Sequence, residues 1–351
     1  MYYGYPPTNG QGNYTSPYPP YAQKRWRRFA IDQTGKALLI QFLLMQGISM
    51  LLLFLLALAA AFSLGMSSPY QIMYAIQMVA NSARFLLVAQ LIASLVAHTI
   101  PFIVSAKKTG VRIRPLFSKG KASPLWIIAM GLTGLAGSQL VAIAVELLAE
   151  LLRSFGLNPV MPSILSQFPV SDPWAAVLFV FTICVAVPVL EEFAFRGALL
   201  QMLRRYGDRF AVIVTSLAFG LLHGNLFQTP SAFVMGLFLS FITLRAGSIR
   251  AAIAVHIANN CLSTIIILLT TLYPAREMPL NMALTAAIFT AGLLSLGFLL
   301  LSRKRERAQA EKPLQVSAEY QGTGPSLLLS SWSCWVVLAV YLGVSVFTTL
   351  L

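Results

Sequence analysis

Charged residues are scarce in this sequence. Only 10% of the 351 residues are Asp, Glu, Lys or Arg, whereas 57% are hydrophobic, and the mean hydropathy is +0.74. A soluble globular domain typically carries about 25% charged residues. The chain is therefore not an ordinary soluble protein, and its unbroken apolar runs of about 20 residues predict an all-α, polytopic transmembrane helical bundle. The alternation of apolar and polar residues that is typical of a membrane β-barrel is missing.

Cysteines and acidic residues are also few. The three cysteines, Cys184, Cys261 and Cys334, lie inside apolar runs without a CxxC spacing, so neither a disulfide framework nor a thiolate zinc site is supported. The 25 basic residues outnumber the 11 acidic ones and give a formal net charge of +14. These cations lie between the apolar runs, where they act as topology signals. We therefore expect these basic residues to face a lipid bilayer, and we expect no nucleic-acid partner.

The apolar runs predict about eight or nine membrane-spanning helices. We place them at residues 37–62, 85–104, 123–152, 174–196, 210–223, 231–244, 251–272, 282–301 and 327–351. The runs at 210–223 and 231–244 are short for a crossing, so we expect them to be tilted or broken around a cavity. If the amino terminus is cytoplasmic and each run crosses once, most of the basic residues fall on the cytoplasmic side, as the positive-inside rule requires.

Polarity divides the chain into four regions. Residues 1–33, rich in Tyr, Pro and Gly, predict a disordered cytoplasmic tail. Residues 34–302 predict the transmembrane bundle. Residues 303–325 predict a basic and polar cytoplasmic linker, and residues 326–351 predict a terminal transmembrane helix.

Two adjacent acids stand at the end of an apolar run. An ionisable residue in a bilayer costs at least a few kcal/mol, so it usually has a partner or a function. Arg196 lies four residues after Glu192, on the same helix face, and we interpret the two as a supporting ion pair. Glu191 points about 100° away and is left free for chemistry. The alternative is that both acids only reach toward the lipid headgroups.

Histidines mark two further motifs. His223 follows an apolar helix that carries Phe219 one turn earlier, and His256 and Asn260 share a face of another helix. Taken singly, each motif also fits hydrogen-bonded packing between helices. The third histidine, His98, has no acidic neighbour in sequence, and we interpret it as a helix-end residue. Helix rise places His223 about 20 Å from the basic end of its helix. That is deeper than the other motifs, so tilt or a later helix start is needed for them to meet.

Together the three motifs resemble a known family. EExxxR at 191–196, FxxxH at 219–223 and HxxxN at 256–260, in this order on consecutive helices, resemble the CAAX-processing and bacteriocin-processing (CPBP, abortive infection) intramembrane proteases. The resemblance covers residues 174–272, which are the predicted catalytic core. It implies a helical bundle whose core helices surround a cavity open to the cytoplasmic side.

The resemblance also implies a role for each motif residue. Glu191 corresponds to the acid that activates water, and His223 to the residue that helps to hold this water. His256 and Asn260 correspond to groups that stabilise the oxyanion of the tetrahedral intermediate. Peptide hydrolysis needs such a base, a positioned water and donors aimed at the developing negative charge.

The resemblance leaves metal dependence open. If a metal is bound, Glu191, His223 and His256 are its expected ligands, and zinc would keep one position open for water. Against zinc, the sequence has no HExxH motif, and Asn260 suits an oxyanion donor better than a zinc ligand. We therefore favour a glutamate mechanism without a metal or cofactor.

These residues predict an integral, multi-pass membrane endopeptidase. Its expected substrate is a membrane-associated peptide or protein, prenylated or leader-bearing, cleaved near the cytoplasmic face. Two other classes fit the same buried polar groups. A proton- or ion-coupled transporter is one, although no internal repeat is visible. A non-catalytic scaffold or immunity protein is the other, although every motif position is filled.

Overall fold

The computed structural model describes residues 20–65, 68–159, 171–309 and 322–350. The structure is 88% helical, and within these ranges it contains no strand. Eight of its helices are long and apolar enough to cross a membrane. The prediction of an all-α, polytopic bundle is therefore confirmed, while the cytoplasmic location of the amino terminus stays a prediction.

Eleven helices make up the described part of the chain. They are α1 Pro20–Ser63, α2 Pro69–Ala80, α3 Ala83–Thr109, α4 Pro124–Ser154, α5 Pro173–Tyr206, α6 Asp208–Leu222, α7 Gln228–Ala246, α8 Ile249–Leu272, α9 Glu277–Gln309, α10 Gly324–Leu329 and α11 Trp332–Leu350. A 3₁₀ turn, Arg114–Phe117, lies between α3 and α4, and another, Pro274–Arg276, precedes α9.

One predicted crossing is not among the eight candidate spans. Helix α6, in the run predicted at 210–223, has only 15 residues. At 1.5 Å per residue it is about 22 Å long, which is less than the hydrocarbon thickness of about 30 Å. The short helix α2 follows α1 and was not predicted.

Two region boundaries differ from the sequence prediction. Helix α1 begins at Pro20, so residues 20–33 of the expected tail are helical. Ala30 and Ile31 are fully buried in the main core, which explains why this segment is ordered before the long apolar run begins. Helix α9 likewise continues to Gln309, inside the expected linker. Residues 1–19 and 310–321 lie outside the described part of the chain.

Helix α5 is the centre of the bundle. Its residues 194–200 are all buried, and they pack in one cluster with apolar residues of α1, α3, α6 and α11. The ring of Phe195 lies 6.0 Å from that of Phe102 in α3 and 5.4 Å from that of Phe219 in α6. Helix α5 is therefore fixed from several sides, and so are the motif residues that it carries.

The acidic turn of α5 lies between two π-helical segments. Val180–Ala186 and Phe193–Leu199 are π-helical, and the α-helical turn Val187–Glu192 separates them. Pro188 has no N–H to donate and its ring crowds the carbonyl four residues earlier, so a regular α-helix is disfavoured there. Single π turns within α-helices occur frequently at functional sites, and here two of them flank the turn that carries Glu191 and Glu192.

The basic ends of several helices meet on one face. A guanidinium N–H of Arg205, near the end of α5, donates to the carbonyl of Thr109 at the end of α3, at 2.9 Å. The hydroxyl of Ser248, just before α8, donates to the carbonyl of Ser118 in the loop between α3 and α4, at 2.8 Å. The charge-based topology places these segments together on one side of the membrane, and the helix ends do lie together.

Candidate active site

A fully buried ion pair anchors the site. Nη1 of Arg196 donates to Oε1 of Glu192 at 2.8 Å, and neither side chain has any exposed surface. Nη2 of the same guanidinium donates to the carbonyl of Gly236 in α7 at 3.2 Å. The guanidinium carbon also lies 4.4 Å from the ring centroid of Phe219 in α6. A single Arg therefore links α5 to α6 and α7.

The imidazole of His256 lies between the two acids. Its Nδ1 is 2.9 Å from Oε1 of Glu192, and because a carboxylate accepts, Nδ1 is the donor. Its Nε2 is 3.6 Å from Oε2 of Glu191. That separation is too long for a direct hydrogen bond, and it places the two groups side by side. Glu191, Glu192 and His256 are all buried.

His223 joins this group through an aromatic ring. Its Nδ1 donates to the carbonyl of Phe219 at 3.0 Å, which leaves Nε2 available. The Phe219 ring makes edge contacts with both imidazoles, at centroid distances of 5.3 Å to His223 and 5.6 Å to His256. Among the described residues, Glu191 has a direct contact with His256 and none with His223.

The depth mismatch that the sequence indicated has a structural explanation. It rested on a span ending at Arg196, but α5 continues to Tyr206. Glu191 therefore lies 15 residues, about 22 Å, from the basic end of its helix. His223 lies 15 residues from Asp208 at the basic end of α6, so the two residues have similar depths. The extension of α5 thus removes the mismatch between Glu191 and His223.

Asn260 is held against the π-helical segment of α5. Its Nδ2 donates to the carbonyl of Ile183 at 2.9 Å, and its Oδ1 accepts from the amide of Asn259 at 3.1 Å. A side-chain amide has two N–H groups, so one donor of Asn260 remains for a further acceptor. Sequence reasoning did not find Ile183 or Gly236, because both act through backbone carbonyls that carry no signal in the side chain.

The third histidine is not at a helix end. His98 lies within α3 and is buried, with Nε2 3.0 Å from the amide nitrogen of Gln41 in α1 and Nδ1 donating to the carbonyl of Ser94. Pro101, three residues later, also lies inside α3. His98 therefore belongs to the packing of α1 against α3.

The site does not present a ready metal centre. Within the described ranges, no three side chains of His, Cys, Asp or Glu are arranged to hold a metal ion. Nδ1 of His256 donates to Glu192 and Nδ1 of His223 to a backbone carbonyl, so Nε2 is the nitrogen of each ring that is left for a further partner. The alternative zinc set of Glu191, His223 and His256 is not assembled as a metal site among these residues.

One family comparison matches this region. The family model described as "Type II CAAX prenyl endopeptidase Rce1-like" matches residues 173–262, which run from the start of α5 into α8 and include all three motifs. No curated protein and no solved structure matches the chain. The eight apolar helices and this match indicate an integral, multi-pass membrane protein. Residues 173–262 are thus similar to the Rce1-like type II CAAX prenyl endopeptidases, which is consistent with the CPBP family.

Proposed function

We propose that this protein is an intramembrane endopeptidase in which Glu191 activates the water that attacks a peptide bond. The observation that carries the proposal is the position of Glu191, whose buried carboxylate lies 3.6 Å from Nε2 of His256. A buried acid next to a fixed imidazole is the arrangement that general-base hydrolysis requires. The Rce1-like match supports a membrane protease, and the roles of the individual residues are our inference.

The charges of the cluster balance if His256 is protonated. Glu191 and Glu192 then supply two negative charges, and His256 and Arg196 supply two positive ones. Buried ions are tolerated when they are paired: Glu192 is hydrogen-bonded to Arg196 and His256, and Glu191 lies 3.6 Å from Nε2 of His256. In this state Glu191 is an ionised base, and His256 donates through Nδ1 to Glu192 while its Nε2–H remains for a substrate oxygen.

The proposed reaction proceeds in two proton transfers. Glu191 takes a proton from water, and the resulting hydroxide attacks the carbonyl carbon of the scissile peptide. The tetrahedral oxyanion then accepts hydrogen bonds from Nε2–H of His256 and from the second amide N–H of Asn260. Glu191 finally returns its proton to the departing amine as the C–N bond breaks. His223 orients the water through its available Nε2.

This mechanism runs without a metal. The base and the oxyanion donors all come from the chain, and within the described ranges Glu191, His223 and His256 do not form a group that could hold a metal ion. Each oxyanion donor of this kind is worth about a hundred- to a thousandfold in rate in well-studied hydrolases.

The test is cleavage by the purified, reconstituted full chain. The first substrates are membrane peptides with prenylated carboxy-terminal motifs, as the description of the matched family suggests, followed by leader-bearing peptides. We expect Glu191→Gln to lose at least about a hundredfold in cleavage rate, the range typical of a missing general base. The matched control is Glu146→Gln, which alters an exposed acid of α4 and leaves cleavage unchanged.

Two results would contradict the proposal. Full cleavage by a folded Glu191→Gln variant would remove Glu191 from the chemistry. Proton or ion flux in liposomes that depends on Glu191, without any cleavage, would favour a transporter instead.

A further inference from the structure

Five cations lie together in the last turn of α3 and in the segment that joins α3 to α4. Lys107, Lys108, Arg112, Arg114 and Lys119 are all exposed, and no acidic residue occurs between residues 107 and 121. Among the described residues, none of the five has a carboxylate partner, whereas the ion pairs present join other cations to acids. We refer to these five residues as the basic rim.

The segment that carries the basic rim is fixed to the bundle. The carbonyl of Thr109 accepts a hydrogen bond from Arg205 of α5, and the carbonyl of Ser118 accepts one from Ser248. The methyl group of Ile113 would lie 3.2 Å from a Cβ placed at Gly197, so this part of the loop packs closely on α5. A loop held in this way presents its cations in a fixed arrangement, and their clustering does not depend on a chance conformation.

The basic rim lies where two membrane-spanning helices leave the lipid. Helix α3 ends at Thr109 and α4 begins at Pro124. Both are candidate membrane spans, so the loop that connects them lies at the level of the lipid headgroups. Phe117 and Leu125, close to the cations in sequence, expose 37% and 59% of their surface. Exposed apolar side chains next to unpaired cations match a membrane interface, where both acyl chains and phosphates are in reach.

We propose that the basic rim binds the phosphate groups of anionic lipids at this face of the membrane. Clusters of four to eight Lys and Arg residues directly outside a membrane helix are a recognised signature of anionic-lipid binding. Topology alone requires cations on this side, but it does not require five of them, without a carboxylate partner among the described residues, at one fixed helix end and loop. A soluble acidic peptide is the less favoured partner, because the apolar residues beside the cations suit lipid. The proposal does not depend on the proposed protease activity.

The experiment compares two full-length variants with equal loss of charge. In the rim variant, the five residues of the basic rim are changed to Gln. In the control variant, five cations in the last turns of α9 and just beyond it are changed to Gln, namely Arg303, Lys304, Arg305, Arg307 and Lys312. Each purified protein is titrated with short-chain phosphatidylglycerol and, separately, with short-chain phosphatidylcholine, and bound lipids are counted by native mass spectrometry.

We expect the wild type and the control variant to prefer phosphatidylglycerol over phosphatidylcholine. The rim variant should bind phosphatidylglycerol at least about tenfold more weakly, since each cation near an anionic lipid surface contributes about a factor of five. Binding of phosphatidylcholine should not change. Far-UV circular dichroism and a protease-protection assay establish that the rim variant is folded and keeps its topology. If it is misfolded or inverted, the paired variant Arg112→Gln/Arg114→Gln takes its place, with at least about a fivefold loss expected.

Three outcomes would overturn the proposal. The first is an equal loss of phosphatidylglycerol binding in the rim and control variants, since net charge alone would then explain the preference. The second is unchanged binding in a folded rim variant. The third is binding of an acidic peptide in zwitterionic nanodiscs that requires the basic rim, without any preference for anionic lipid. That result would assign the basic rim to a protein partner.

Discussion

The buried pair of Glu192 and Arg196 should contribute far more to stability than a surface ion pair does. The perturbation is a double-mutant cycle that combines Glu192→Gln, Arg196→Met and the double variant. Gln keeps an oxygen to accept from Nδ1 of His256 but removes the charge. Met has a similar length to the apolar part of Arg and removes the guanidinium. The double variant therefore removes the ion pair without leaving one buried charge alone.

The magnitude follows from the burial of both groups. Breaking a buried pair by removing one partner typically costs about 3–5 kcal/mol, because the other charge is left uncompensated. Glu192→Gln should lie in this range, since the guanidinium of Arg196 then has only neutral hydrogen-bond acceptors, the amide oxygen at position 192 and the carbonyl of Gly236, and no paired charge. Arg196→Met should cost about 3 kcal/mol, since Glu192 keeps His256. The double variant should cost at least about 2 kcal/mol less than the sum of the two.

The measurement is the free energy of unfolding in detergent micelles, from denaturant titrations followed by far-UV circular dichroism. The matched control is the same cycle on Glu150 and Arg153, an ion pair at the exposed end of α4. An exposed pair contributes about 0.2–1 kcal/mol, so the control coupling should fall in that range. A coupling between Glu192 and Arg196 no larger than that of the control would refute the reasoning that burial makes this pair an anchor.

Three further predictions follow from other contacts. Gly220→Ala should destabilise the protein by about 1–3 kcal/mol in thermal unfolding, because a Cβ at Gly220 would lie 2.7 Å from the carbonyl oxygen of Thr229. Gly297→Ala, with open space around its Cβ, should be neutral or slightly stabilising; equal effects would count against the packing argument. The hydrogen-bonded guanidinium of Arg84 holds the pKa of Asp172 below its usual value. The stability that the wild type has over Asp172→Asn should thus be present at neutral pH and disappear as the pH falls below about 4; a difference independent of pH would contradict this. Treatment of the purified protein with a chelator should leave cleavage intact, and metal analysis should find less than one equivalent of zinc; loss of cleavage that added zinc restores would refute the metal-free mechanism.

Local sequence signals determined the fold class and the motif residues. Hydropathy marks membrane spans because any segment of about 20 apolar residues gains the same free energy in lipid, whatever it packs against. The four-residue spacing of Glu192 and Arg196 is a local signal too, because residues four apart lie on one face of any α-helix. The prediction from the sequence was wrong where a contact between helices changes the meaning of a local signal. Arg196 resembled the charged end of a span, but because its charge is paired inside the bundle, α5 continues to Tyr206.

Only the tertiary structure decided which motif residues touch. The rotation of α8 against α5 directs His256 to both acids, and α6 inserts Phe219 between the guanidinium and the imidazoles. The partners of Arg196 and Asn260 on α7 and α5 are carbonyl oxygens of Gly236 and Ile183. Every residue has a backbone carbonyl, so no sequence pattern marks these two. They become specific acceptors only because helix packing and the π-helical segment of α5 place them opposite a donor.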